Sequence, residues 1–127
     1  MVTDRRSELL RFCRHETILE KFNYMKPLHL TISAETKEQA EKILDALLEK
    51  SLATGGQIIN APAKFLWKGE ITDMDYFTIN SFTLEQHKEA IIQVVEGISV
   101  EEVPMITFTP FEGNKKLIDW IEETLKP

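Results

Sequence analysis

The feature that most restricts what this chain can fold into is an internal repeat. Thr36-Lys-Glu-Gln-Ala-Glu-Lys-Ile-Leu-Asp-Ala-Leu-Leu-Glu49 and Thr83-Leu-Glu-Gln-His-Lys-Glu-Ala-Ile-Ile-Gln-Val-Val-Glu96 both open on Thr-x-Glu-Gln and close on Glu. Thr36 with Gln39, and Thr83 with Gln86, have capping-box spacing, in which the hydroxyl accepts from an early backbone N–H and the amide side chain reaches back. Apolar residues follow at helical intervals: Ala40, Ile43, Leu44, Leu47 and Leu48 in one copy, Ala90, Ile91, Val94 and Val95 in the other. Each copy therefore predicts a helix with one buried face.

The segments flanking these helices alternate with period two. Leu28, Leu30, Ile32 and Ala34 interleave with His29, Thr31 and Ser33, which predicts a half-buried strand ahead of the first helix. After that helix, Thr54-Gly55-Gly56 breaks the pattern and Gln57 to Trp67 reads as extended, interrupted by Pro62; Lys68-Gly69 then supplies a tight hairpin turn before Glu70-Ile71. Tyr76 to Phe82 and Val103 to Thr109 read as strands on either side of the second helix. The resulting order, β-α-β-β-α-β, predicts an α+β fold of ferredoxin-like type, an antiparallel sheet with both helices on one face. The other face is expected bare and polar, carrying His29, Thr31, Ser33, Thr78, Asn80, Thr107 and Thr109. Pro104 and Pro110 make the last strand an edge or a bulged strand.

Two further helices are expected outside this unit. Asn114 is a natural N-cap for a C-terminal helix carrying Leu117, Ile118, Ile121 and Leu125. The opening segment, with Leu9, Leu10, Phe12, Cys13, Ile18, Leu19 and Phe22, predicts an N-terminal helix ending at Met25-Lys26-Pro27. The domain division is thus an extension over residues 1–27 and a core over residues 28–127.

Composition narrows the function. Of the 127 residues, 15 are basic and 21 acidic, and residues 28–127 alone carry a net −8 against +2 for residues 1–27. Such a body repels phosphate backbones, so no nucleic-acid partner is expected. The basic group Arg5, Arg6, Arg11 and Arg14 is interleaved with Asp4, Glu8, Glu16 and Glu20 as on a solvated helix face. A single cysteine closes no intramolecular disulfide, and no apolar run reaches membrane-spanning length. Neither a secretory signal nor a membrane contact is expected, and the location is expected to be cytoplasmic.

Catalytic and metal-binding patterns are weak. Cys13 and His15 sit two apart, pointing away from each other on a helix, and His29 and His87 have no partner at ligand spacing. The serines lack a nucleophile elbow, and Thr54-Gly-Gly-Gln57 leads into a strand rather than a phosphate-binding helix N-terminus. No enzyme, no metal site and no cofactor is expected. Asp73-Met-Asp75 and Glu101-Glu102, both read as lying in turns, offer only weak attraction for a hard cation.

Phe65-Leu-Trp67-Lys-Gly69-Glu, then Val103-Pro104, then Glu112-Gly113-Asn114 followed by Leu117-Ile-Asp119-Trp120 together resemble the signature of the CutA proteins, named for divalent-cation tolerance. The resemblance spans residues 28 to about 125. It implies a homotrimer of PII-like architecture, long hairpins reaching between subunits, and clefts where subunits meet. Many family members carry cysteines and a histidine at places that here read Ala34, Thr54 or Gly55, and Ser99, and a tyrosine where this chain has Glu101. Thiolate and imidazole select copper or zinc, so a soft-metal site at those places has lost its donors. By the same resemblance, a ligand in the cleft would meet Lys64, Trp67, Ser99 and Glu102. Two functions follow: a non-enzymatic trimer in the response to divalent metal ions, or a PII-like sensor of a small anionic metabolite or nucleotide.

Overall fold

The computed structural model describes residues 25–125, so the expected N-terminal helix, with Cys13 and His15, lies outside the described residues. Strand β1 (Pro27–Ala34) enters helix α1 (Lys37–Glu49), and the chain returns through a hairpin of β2 (Gly56–Trp67) and β3 (Glu70–Leu84). A 3-10 turn (Glu85–His87) leads into α2 (Lys88–Ile98), then β4 (Ile106–Pro110) and α3 (Lys115–Leu125). The sheet is antiparallel throughout, in the order β2-β3-β1-β4. This is the ferredoxin-like arrangement, with β4 at an edge, where Pro110 at its end is tolerated.

The predicted alternation positions the core. Leu30, Ile32 and Ala34 of β1 and Ile79 of β3 meet Ala40, Ile43 and Leu47 of α1 and Ile91 and Val95 of α2, all essentially inaccessible. Both helices thus cover one face, held there by the apolar stripes that the repeat encodes. Opposite, Thr31 pairs with Asn80 and Thr107, and His29 with Phe82 and Thr109, giving the polar rows expected. This second face is not wholly bare, however. Helix α3 packs Ile121 and Leu125 against Leu84, with Phe82, Phe111 and Leu117 around them. At the other end of the same face Ser33 is buried beneath the segment that joins α2 to β4.

The structure corrects four local expectations. Thr36 caps α1 by accepting the backbone N–H of Gln39 at 3.1 Å, but the Gln39 amide oxygen accepts the N–H of Val100 at 3.0 Å instead of closing a capping box. Thr83 is no cap at all. It is the penultimate residue of β3, with its hydroxyl donating to the Leu52 carbonyl at 2.7 Å, and sheet pairing with β1 wins over helix initiation there. The hairpin return and the third strand are one continuous strand of 15 residues, so Asp73 and Asp75 lie in β3 and not in a turn. The last strand begins at Ile106 rather than Val103, leaving Val103 to Met105 in the preceding connection.

Candidate functional site

The site grows out of the hairpin. Lys68 and Gly69 both take positive φ, at 50° and 83°, the two-residue geometry whose twist matches that of the flanking strands. Register runs unbroken from Gly56↔Ser81 to Trp67↔Glu70. From the Asn60↔Phe77 pair outward the strands leave the cover of the helices, an arm of roughly 25 Å by strand rise. Among the described residues of that arm, Tyr76 alone is buried, while Leu66 and Ile71 are 75% and 72% exposed. β2 is the outer strand, and Pro62 interrupts the donors along its edge.

One face of the arm, carrying Phe65, Trp67, Thr72, Met74 and Tyr76, forms a wall of a cleft of about 380 Å³. Glu35, at the exit of β1, and Glu101, Glu102, Val103 and Met105 of the α2–β4 connection form the other. That connection is fastened at several points. Ser33 Oγ donates to Glu101 Oε2 at 2.9 Å and accepts the Met105 N–H at 2.9 Å, and the Ser33 N–H donates to the Met105 carbonyl at 2.9 Å. The Tyr76 hydroxyl donates to Glu101 Oε1. Burial, reinforced by the adjacent Glu101 carboxylate, pushes the Tyr76 phenol up to about 12, so it remains a neutral donor at physiological pH. Phe65 meets Tyr76 edge to face at 5.2 Å between centroids, fixing the floor of the cleft.

Glu102 and Trp67 stand at the mouth. Lys68 Nζ lies 3.1 Å from Glu102 Oε2 and 5.4 Å from the Trp67 ring centroid, so one ammonium is shared between a carboxylate and an indole face. Among the described residues no group of three or more His, Cys, Asp or Glu side chains is arranged to hold a metal ion. No helix among them is long and apolar enough to cross a membrane.

A family model described as CutA1 divalent ion tolerance protein matches residues 28–124, the span that holds the sheet and the cleft. The chain belongs to the CutA1 family. A curated divalent-cation tolerance protein CutA from Archaeoglobus fulgidus is 32% identical over 96 residues, which cover 75% of this chain and 94% of that protein. A solved structure from the same organism, described as the periplasmic divalent cation tolerance protein CutA, is 30% identical with a TM-score of 0.75, covering 79% of this chain and 99% of that one. The divalent cation tolerance protein from Thermus thermophilus follows at 25% identity and a TM-score of 0.73, covering 77% and 97%.

Within the CutA1 fold the four residues expected at the cleft separate into two pairs. Trp67 and Glu102 line it. Lys64 falls on the opposite face of the arm, where it is in register with Asp73 and 3.5 Å from its carboxylate. Ser99 terminates α2, donating its N–H to the Val95 carbonyl at 2.8 Å and accepting the Glu101 N–H at 3.1 Å, so it shapes the connection without lining the cleft. The places at which family resemblance would put soft-metal donors hold Ala34, Thr54, Gly55 and Ser99, none of which supplies a thiolate or imidazole. Sequence reasoning missed the Tyr76–Glu101–Ser33 cluster. Its members are 25 and 68 residues apart, and only the fold makes them neighbours.

Proposed function

We propose that this CutA1 family protein is a non-enzymatic homotrimer that takes part in the cell's response to divalent metal ions, with the cleft beside Trp67 and Glu102 as its ligand site. The observation that carries the trimer is the arm. An unaccompanied hairpin that exposes Leu66 and Ile71 side by side, on the face opposite Trp67, carries apolar surface of the kind that marks a subunit contact. Three-fold closure would also give the free edges of β2 and β4 partners. Ser99 serves the cleft indirectly by holding the connection that carries Glu101 and Glu102, while Lys64 would meet a ligand only from the other face of the arm, where it pairs with Asp73.

The proposed division is an N-terminal extension over residues 1–27 and a core over residues 28–127, and what supports it is that the family match begins at residue 28. The acidic body favours cations over nucleic acid as partners. Its lone cysteine favours a reducing, cytoplasmic setting. Light scattering tests the assembly: the expected mass is three times the 14.7 kDa of the chain, and a monomer at micromolar concentration refutes it. Growth under raised copper or zinc tests the role. Cells lacking the gene are expected to stop at a lower metal concentration than their parent, and equal tolerance would remove the proposed part in metal response.

A further inference from the structure

We infer that the cleft is built to take an organic ammonium cation, a positively charged nitrogen carried on an apolar body. The inference rests on reading the cleft as a ligand site and assigns the ligand's chemical class. Two kinds of group line the space. Phe65, Trp67 and Tyr76 give aromatic surface, supplemented by methionine thioethers, and Glu35, Glu101 and Glu102 give carboxylates. Among the described lining residues there is no Lys, Arg or His. An anionic guest would therefore meet three carboxylates and no compensating cation inside, whereas an ammonium meets acceptors and the negative faces of aromatic rings.

The chain itself shows the recognition. Lys68 Nζ rests between Glu102 Oε2 and the Trp67 ring, at 3.1 Å and 5.4 Å, which are the two contacts that a guest ammonium would make. Lys68 reaches there from the hairpin turn, and its side chain is 67% exposed, so it is a tethered stand-in at the rim that a guest can displace into water. The Glu101 carboxylate, by contrast, has one oxygen held by Ser33 and the other by Tyr76, which fixes its charge in the cleft wall. The size of the space agrees: about 380 Å³ suits a small organic molecule, and the absence of any three converging ligands among the described residues disfavours a bare metal ion.

The test is calorimetric titration of the full chain with three molecules sharing one phenylethyl-sized body: phenethylamine, 2-phenylethanol and phenylacetate. Phenethylamine is expected to saturate at least about tenfold more tightly than the alcohol, with phenylacetate weakest. Trp67→Ala and Glu102→Gln should each weaken phenethylamine by about fivefold or more. Lys68→Ala removes the internal competitor and should tighten it by a few-fold, the sign opposite to that expected if Lys68 were a binding residue. Phenylacetate binding as tightly as phenethylamine, and lost in Trp67→Ala, would leave the cleft as a ligand site and overturn the cationic class. Weaker phenethylamine binding in Lys68→Ala overturns it as well. No saturable heat from any of the three at about 10 mM would overturn both the class and the cleft as a small-molecule site.

Discussion

The two ends of the same sheet are built on opposite terms. Where α1 and α2 cover it, the central inward positions Leu30, Ile32 and Ile79 are aliphatic and inaccessible. Along the arm the same two strands keep their register, yet Leu66 and Ile71 stand more than two-thirds exposed. Backbone pairing is identical in kind, so what separates the regions is whether anything covers the side chains. The covered end is stabilised by burial within one chain. The arm has only its ladder, and a lone hairpin is marginal in water, which is the ground for proposing that neighbours complete it.

Substitutions at matching positions sharpen this contrast. At the root, a Cβ on Gly56 would lie 1.8 Å from the Asn80 carbonyl oxygen, so Gly56→Ala is expected to cost on the order of 3–5 kcal/mol in chemical denaturation, or to abolish folding. At the tip, Gly69 has open space around it and only its φ of +83° opposes a side chain, so Gly69→Ala should cost about 1 kcal/mol. Equal losses at the two glycines would erase the distinction between root and tip. Next in size is the aliphatic pair: Ile79→Ala should cost about 3 kcal/mol by leaving a cavity between sheet and helices. Ile71→Ser on the arm should instead lower the mass seen in light scattering, with little change in far-ultraviolet circular dichroism.

A smaller effect probes the junction of the two regions. Ser33→Ala removes both a donor to Glu101 and the acceptor for the Met105 N–H, and should cost about 1–3 kcal/mol in thermal or urea unfolding. A pH effect at Tyr76 is confined to the alkaline range. In the folded chain its phenol ionises near 12 in place of 10, so between those values the unfolded chain has given up a proton that the folded one retains. The stabilisation is complete below pH 10 and drains away from pH 10 to 12, by at most about 2–3 kcal/mol. Tyr76→Phe should flatten that alkaline limb relative to the parent protein, measured as the difference in melting temperature across the range. A limb of unchanged slope would show that Tyr76 does not carry it.

The same contrast explains what could be read from the amino-acid sequence. Strand β1, helix α1 and helix α2 announce themselves because a covered face imposes a period, and Lys68-Gly69 marks the hairpin through its turn chemistry. Asp73 and Asp75 disguised the middle of β3 as a turn, since on the arm no buried face imposes alternation. Thr83 imitated a helix cap because its spacing to Gln86 is local, whereas the Leu52 carbonyl that claims its hydroxyl is 31 residues away. Family resemblance, and no local pattern, is what points to Trp67 and Glu102, which line the cleft of the single chain. Lys64 lies outside the cleft of the single chain because a residue's parity on a strand decides which face it serves, and Lys64 is out of step with Phe65 and Trp67.

Pro62 has a consequence for what the arm refuses. A twelve-residue edge with apolar side chains is a template on which any stray extended peptide could add, and repeated addition is how fibrils grow. With a proline midway, that border offers two short stretches of donors separated by a gap. A short strand can still pair on one side of the gap, as the proposed closure would need, while an intruder that needs a continuous ladder is turned away. The residue that weakens β2 as a strand thereby guards it against polymerisation.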